Sequence, residues 1–589
     1  KEVRMPILNS TLIIMVSFMP LFFLSGMEGR MLRPLGIAFL VALVASTFVA
    51  LTLTPVLCSY LLSGKKALKE NKEPWLSRKL QGIYNKALSW TLMHKRSVLT
   101  GTIALFVVAL ISFATLGRSF LPPFNEGSFT INAATLPGVS LEESDRIGQE
   151  IERLLLEVPE IQTVARKTGR AELDEHAFGV NACEIEAPFK LDKRSAGEVK
   201  AEIREKLSIL SGVSIEIGQP ISHRIDAMLS GTKSQIAIKI FGEDLKRMYD
   251  YGLQIQKLAS GVEGVVDLNV EQQIERPQLH IVPRRDLLAR YGITMPEFIE
   301  FINVAMAGEV VSQIYEGDRT FDLTVKMKDE NRDTAEQLKE IMIDTPEGKV
   351  PLIQVAEIRS AMGPNTINRE NVKRKIVVSA NVADRDMRSV VDDIRALVDE
   401  NIKMPEGYYI EYGGQFESEK EASRTLFLAS MASILIIFLL LVQQFKSAGQ
   451  SAVILLNLPL ALIGGIFVLR CTSGEISIPA IIGFISLFGI ATRNGMLLIE
   501  RYNHLREEGA SLNEAVLKGS LDRLNPILMT ALTSALALIP LAINGSAPGN
   551  EIQSPMAQVI LGGLLSSTLL NAFVIPIVYI LMNRKNVKV

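Results

Sequence analysis

The sequence predicts a multi-pass α-helical membrane protein that carries an α+β block outside the bilayer and is built on an internal repeat. Three observations predict it. Eight apolar runs reach the length of about 20 residues that a helix needs to cross a bilayer; they lie near 6–24, 35–62, 98–116, 425–443, 451–469, 477–499, 526–544 and 555–582. Between the third and fourth runs, 118–421 is polar and repeats a strand–helix–strand pattern. The two ends of the chain share one proline spacing. Composition agrees, since 48% hydrophobic residues and a mean hydropathy of +0.24 are high for a soluble chain, while 21% charged residues require a sizeable soluble part.

In chain order, residues 1–63 hold two spans, and 64–96 follows as an amphipathic helix on the inner side. Its connection, 63–96, carries nine Lys/Arg against two Glu, which places it in the cytoplasm. Counting outward, 500–525 and the tail 583–589 fall on the same side, and the block 118–421 falls on the other. WLSRKLQGIYNKALSWTLM, 75–93, has the amphipathic pattern of a helix lying on the inner surface. A third span occupies 97–117, and five more occupy 425–582. Prolines inside the spans are tolerated where neighbouring helices satisfy the freed backbone groups.

The outer block opens with alternation and then a helix whose capping box runs from Ser140 to Glu143. The same order recurs at 236–270 and 375–414. Three such units imply helices packed on one face of largely antiparallel sheets. The intervening 276–375, punctuated by Gly, Pro and Asp turns, reads as a separate subdomain, leaving 118–275 and 376–421 as the two parts of the flanking region.

Residues 4–21, RMPILNSTLIIMVSFMPL, match 524–541, LNPILMTALTSALALIPL. Pro6 to Pro20 and Pro526 to Pro540 are each fourteen positions apart, and Pro55 and Pro576 follow 35 and 36 positions later. Transporters are built in this way, from parallel repeats. The last copy is preceded by a charged helix and an outer block, so the first copy calls for equivalents ahead of Lys1. The chain therefore reads as the C-terminal part of a parent of roughly a thousand residues and about twelve spans.

The charged helix holds GIATRNGML, 489–497. An Arg near the bilayer centre costs about 2.5–3.5 kcal/mol on insertion scales. Either Arg493 snorkels to the inner headgroups, or it lies inside a helix bundle. Asn494 beside it, and Gly483, Gly489 and Gly495 along the helix, fit close packing in a bundle. No Asp or Glu occurs within the eight apolar runs, so a buried guanidinium looks for its acid on a helix outside the chain. Such an intramembrane pair is the usual substrate of proton coupling. Arg493 and Asn494, with Arg523 and Thr530 at the start of the next helix, are the candidate proton relay. For Thr530 the alternative is a hydroxyl bonded to its own backbone; for Arg523, an interface anchor.

Net charge of −2 gives no sign of nucleic-acid binding, and Cys58, Cys183 and Cys471 form neither a disulfide framework nor a metal motif. No GxxxxGK[ST] loop is present, against an ATP-driven pump, and no cofactor is expected. The five histidines form no hydrolytic constellation. The chain reads as a secondary transporter, not an enzyme. The alternative of another class is a non-transporting membrane scaffold or receptor, against which a buried charge counts.

ATRNGMLLIERYNHLREEG, RLNPILMTALTSALALIPL and PLFFLSGMEGRMLRPLGIAFLVALVASTFVALTLTPVLC resemble the resistance-nodulation-division (RND) efflux permeases. TGRAELDEHAFGV and ISHRIDAMLSGTKSQIAIKIFGEDL are most similar to the heavy-metal branch. The resemblance covers essentially the whole chain. It implies a homotrimeric proton antiporter of the bacterial inner membrane, with its large block in the periplasm, working with a periplasmic adaptor and an outer-membrane channel. It implies porter subdomains at 118–275 and 376–421 and a docking subdomain at 276–375. It maps the relay cation to Arg493 and its next-helix companions to Arg523 and Thr530. Cargo is expected to be heavy-metal cations, with drugs or other organic compounds as the alternative. The family's copper and silver exporters use clustered methionines, as soft thioethers suit; the matching places here read Ala182, Ala227 with Met228 adjacent, and Ile293. Glu172, Asp174, Glu175 and His176 offer ligand types for a zinc-like ion, though a solvated acidic loop explains them as well. His223 is a weaker candidate of the same kind.

Overall fold

The computed structural model describes residues 4–61, 74–169, 179–273, 275–328, 334–346, 348–364, 366–545 and 547–583. Internal packing divides these into two units: one of 1–135, 139–271 and 371–589, the other of 136–138 and 272–370. The division falls close to the 276–375 read from the turn signals.

Among the described residues, seven helices are long and apolar enough to cross a membrane: Gly26–Leu61, Lys95–Ala114, Gln415–Phe445, Ala448–Cys471, Ile478–Glu507, Leu512–Ile543 and Gln553–Asn583. The first expected span is shorter. Its α-helix, Arg4–Phe18, gives way to a 3-10 turn at Met19–Phe23, with Pro20 in the first turn where its missing N–H leaves no gap. The matching Pro540 lies inside the unbroken helix Leu512–Ile543, so the repeat in sequence is not a repeat of helix ends.

Several helices overrun their apolar runs because polar turns continue them. Gln415–Phe445 begins ten residues before its run, and Ile478–Glu507 extends past Ile499. The statement that the spans carry no acid therefore needs correction at the level of helices. Glu28 is buried near the start of Gly26–Leu51, and Glu500 lies on the Arg493 helix itself.

The surface helix forms over Trp75–Met93, as its sequence pattern predicts. It does not lie free. Tyr84, Leu88 and Thr91 are buried, and Tyr84 and Leu88 pack with Leu524, Leu521 and Phe573 of the last two helices. The Tyr84 hydroxyl donates to the Ala572 carbonyl at 2.7 Å. A second apolar stripe, Trp75, Ile83, Trp90 and Met93, stays exposed. One face thus docks on the bundle while the other is open to a bilayer surface.

Outside the membrane helices, the first unit carries two antiparallel sheets. In one, Ser128–Thr135 lies between Ala182–Pro188 and Val213–Gly218, with Ile131 opposite both Ile185 and Ile217. Helices Leu141–Leu156 and Ala196–Leu207 cover it, and Ile151, Leu155, Val199 and Ile203 close the core. In the other, Ile236–Phe241 lies between Lys373–Val382 and Tyr409–Gly414, with Ile238 opposite Val378 and Tyr412. Leu245–Ala259 and Met387–Asn401 supply its helices. The period-2 strands and amphipathic helices of the sequence produce this layering directly.

The second unit is built on Glu275–Pro283 paired antiparallel with Ala356–Pro364. Leu288, Ile293, Phe298, Leu338, Ile343 and Val355 form its core, and Glu309–Glu316 with Arg319–Val325 forms a hairpin.

Candidate functional site

The Arg493 helix starts at Ser477, whose hydroxyl accepts from the Ala480 amide, with Pro479 in the first turn. Of the most apolar stretch of this helix, 72% is buried, so it is an interior helix and not a lipid-facing one. Its three glycines each admit a different neighbour. A Cβ at Gly483 would lie 2.9 Å from the Met556 carbonyl oxygen, at Gly489 2.7 Å from Ser17 Oγ, and at Gly495 1.8 Å from Asn457 Nδ2. The C-terminal helix, the first helix and the 457–471 helix thus close on it from three directions, as small residues at helix crossings permit.

Around Arg493 the polar groups are enclosed but not paired. Among the described residues no neighbouring charge acts on its guanidinium. Asn494 is 1% exposed and its Nδ2 has no partner. Asn457, fully buried against Gly495, donates from Nδ2 to the Ile454 carbonyl at 2.8 Å and leaves Oδ1 free of partners among the described residues. Buried polar atoms without partners are rare in finished folds, and two of them lie on or against this helix within two residues of Arg493.

Arg523 carries a buried Nε with no partner among the described residues, and Glu500 carries a buried Oε2 in the same condition. Glu500 is near enough for the charges of Arg523 and His504 to act on it. It follows Arg493 by seven positions, the same helix face about 10.5 Å further in. Sequence reasoning passed over Glu500 because it stopped the span at Ile499. The Thr530 hydroxyl donates to the Pro526 carbonyl at 2.8 Å, the backbone bond weighed as its alternative. Arg501 pairs with Asp522 at 2.6 Å and fastens the inner ends of the two helices.

The sheets of the same unit border a cavity of about 560 Å³, lined among others by Lys200, Arg204, His223, Asp226, Asp386 and Glu475. His223 Nδ1 lies 3.0 Å from Asn132 Nδ2, and Asn132 Oδ1 accepts from Lys233 Nζ at 2.6 Å, so Nδ1 is the acceptor and Nε2 carries the proton. Nε2 abuts Gly218 and has no partner among the described residues. Burial, with Lys233 and Lys200 nearby, pushes the His223 pKa down to about 4 and keeps the ring neutral. Asp226, 3% exposed, accepts from Gln415 Nε2 at 2.7 Å, and burial pushes its carboxyl up to about 7.

Of the metal candidates, only Met228, His223 and the positions matching the methionine cluster lie among the described residues. Met228 is 63% exposed and stands outside this cavity. Ala182 lies on a sheet of the first unit and Ile293 in the core of the second. Glu172, Asp174, Glu175 and His176 lie outside the described residues. Among the described residues no group of three or more His, Cys, Asp or Glu is placed to hold a metal ion.

Residues 1–583 match the model of the AcrB/AcrD/AcrF family. The chain is 34% identical, over all of its own length, to the cobalt-zinc-cadmium resistance protein CzcA of Cupriavidus metallidurans, of which it covers 56%. It is 31% identical to the cation efflux system protein CusA of Escherichia coli K12, covering 99% of this chain and 57% of that protein. A crystal structure of a heavy metal efflux pump superposes with a TM-score of 0.81 at 28% identity, over 98% of this chain and 58% of that one. The chain thus spans little more than half the length of these relatives.

Proposed function

Because the chain belongs to the AcrB/AcrD/AcrF family, the RND permeases, we propose that it serves proton-driven export of heavy-metal cations across the cell envelope. The observation that carries the proton reading is Arg493, half-buried on a helix that three others approach closely at its glycines, and unpaired among the described residues. On this reading a cation held there calls for an acid partner, which no described residue supplies. Protonating that acid releases the pair and shifts the packing around it. Arg523, Asn494 and Thr530 extend the relay toward the inner end, and Glu500 joins them.

The cargo rests on likeness to metal-exporting relatives named for cobalt, zinc, cadmium and cations in general. A cavity of about 560 Å³ is of a size that also accepts small organic molecules, and this supports the second reading, an organic cargo. On the same reading the protein works in the bacterial inner membrane with its sheets in the periplasm, as a trimer joined to an adaptor and an outer-membrane channel, which likeness to the family supports.

The test is Arg493→Ala in the natural gene product. Export driven by a proton gradient is expected to disappear, with protein amount and trimer assembly unchanged. Export at the unaltered rate from a well-expressed variant overturns the relay. A deletion strain challenged with Cu, Ag, Zn, Co and Cd salts and a drug panel separates the two cargoes.

A further inference from the structure

The surface helix Trp75–Met93 meets the span Lys95–Ala114 at His94, and with the C-terminal helix the two border an open groove of about 300 Å³. Trp90, Val98, Leu105 and Leu570 form its apolar walls. The Trp90 ring is stacked on His94, with centroids 4.7 Å apart, which holds that wall in place. Gly101 keeps the floor low, and a Cβ there would meet no atom within 4 Å. Positive charge surrounds this apolar surface. From Trp75 to Ala114 the chain carries Arg78, Lys79, Lys86, Lys95 and Arg96, and no Asp or Glu. Lys86 precedes Trp90 by four positions and Lys95 precedes Val98 by three, the spacings at which residues on a helix are neighbours. Lys86 and Arg96 are exposed, and Lys95 is half-buried.

We propose that this groove binds an anionic phospholipid of the cytoplasmic leaflet, with one acyl chain against Trp90 and Leu105 and the headgroup between Lys86 and Lys95. The proposal rests on the membrane placement drawn from the basic connection 63–96 and is independent of the cargo and of the relay. Two requirements meet at one place. An uncharged amphiphile covers the apolar walls and leaves the lysines without a counter-ion. A soluble phosphate answers the lysines and leaves Trp90 and Leu105 in water. A phospholipid of net negative charge satisfies both, since basic residues at a membrane surface attract anionic headgroups. The dimensions agree. Val98 to Leu105 covers about 10.5 Å of helix, so the chain lies along the span while its head stays level with the surface helix. That level is also where the outward stripe of Trp75, Ile83, Trp90 and Met93 is open to the bilayer surface.

The natural gene product is reconstituted in vesicles of equal phosphatidylglycerol and phosphatidylcholine, extracted in mild detergent and weighed by native mass spectrometry. The unaltered protein is expected to retain phosphatidylglycerol in preference to phosphatidylcholine. Lys86→Gln with Lys95→Gln is expected to lower that preference, by roughly fivefold for each lysine removed. Gly101→Leu directs its new side chain into open space, fills the groove and is expected to lower retention of both lipids. A structure of the unaltered protein in a nanodisc of the same lipids is expected to show lipid density beside Trp90. Equal retention of the two lipids, unchanged retention in both folded variants, or protein side chains in place of lipid in the groove overturns the proposal. If the lysine variant does not fold, Gly101→Leu and the density decide.

Discussion

Arg493 illustrates how far a single residue can be read. Its charge in an apolar run, beside Asn494 and among three glycines, marked it for the bundle interior, and each glycine proves to face a different helix. Glu500 escaped the same reading because hydropathy ends a span where charges begin, whereas helical hydrogen bonding does not stop there. Asp226 was not legible at all, since only the fold buries it. Its carboxyl is raised from 3.8 to about 7 because water is withdrawn from the charged form, and the Gln415 amide offsets only part of this. The native state thus keeps a proton that the unfolded chain loses near pH 4. The stabilisation is complete below that value and is lost as pH rises through about 7. Acidification from pH 8 to 5 is therefore expected to raise the unfolding temperature, by a contribution of about 2–3 kcal/mol. Asp226→Asn is expected to flatten the profile; an unaltered profile would show that another group carries it.

At the scale of elements, the close crossings decide which helices can be neighbours. Gly464 and Gly562 face one another across the 457–471 and C-terminal helices, and a Cβ at Gly464 would stand 2.0 Å from the Gly562 carbonyl oxygen. Backbone cannot yield as a flexible side chain does, so Gly464→Ala forces the helices apart. A loss of about 1–3 kcal/mol, read as a lower unfolding temperature, is expected. Gly82 gives the opposite sign: its Cβ direction is open and the residue lies in the exposed part of the surface helix. Gly82→Ala is expected to stabilise by about 0.5–1 kcal/mol. Periodicity located these helices in the sequence, but it cannot say which glycine meets which partner, because that depends on crossing geometry between segments far apart in the chain.

Across the whole of the first unit, one buried carboxylate ties the sheets to the membrane helices. Glu419, 2% exposed near the start of Gln415–Phe445, is 2.9 Å from Arg388 and 3.8 Å from Arg118, which come from two other segments. Arg388→Ala leaves the acid buried with the Ser423 hydroxyl at 2.7 Å and the Arg118 guanidinium at 3.8 Å. Breaking a buried pair in this way is expected to cost about 3–5 kcal/mol, measured by thermal unfolding in detergent, with Glu419→Gln milder because it removes the charge as well. This tie had no signature in the sequence, where Glu419 looks like one more residue of a polar stem.

Local chemistry is what the sequence determined by itself. Apolar run length set the spans, alternation and capping set the sheets and their helices, repeated prolines pointed to a duplication, and one misplaced charge singled out Arg493 as the candidate relay cation. Each of these follows from forces acting between residues close in the chain. The tertiary structure alone decided which polar atoms lose their water and which keep a partner: the unpaired Asn494 beside Arg493, the raised Asp226, and the exposure of Met228. Desolvation depends on what distant segments bring together, so no pattern along the chain could have displayed it.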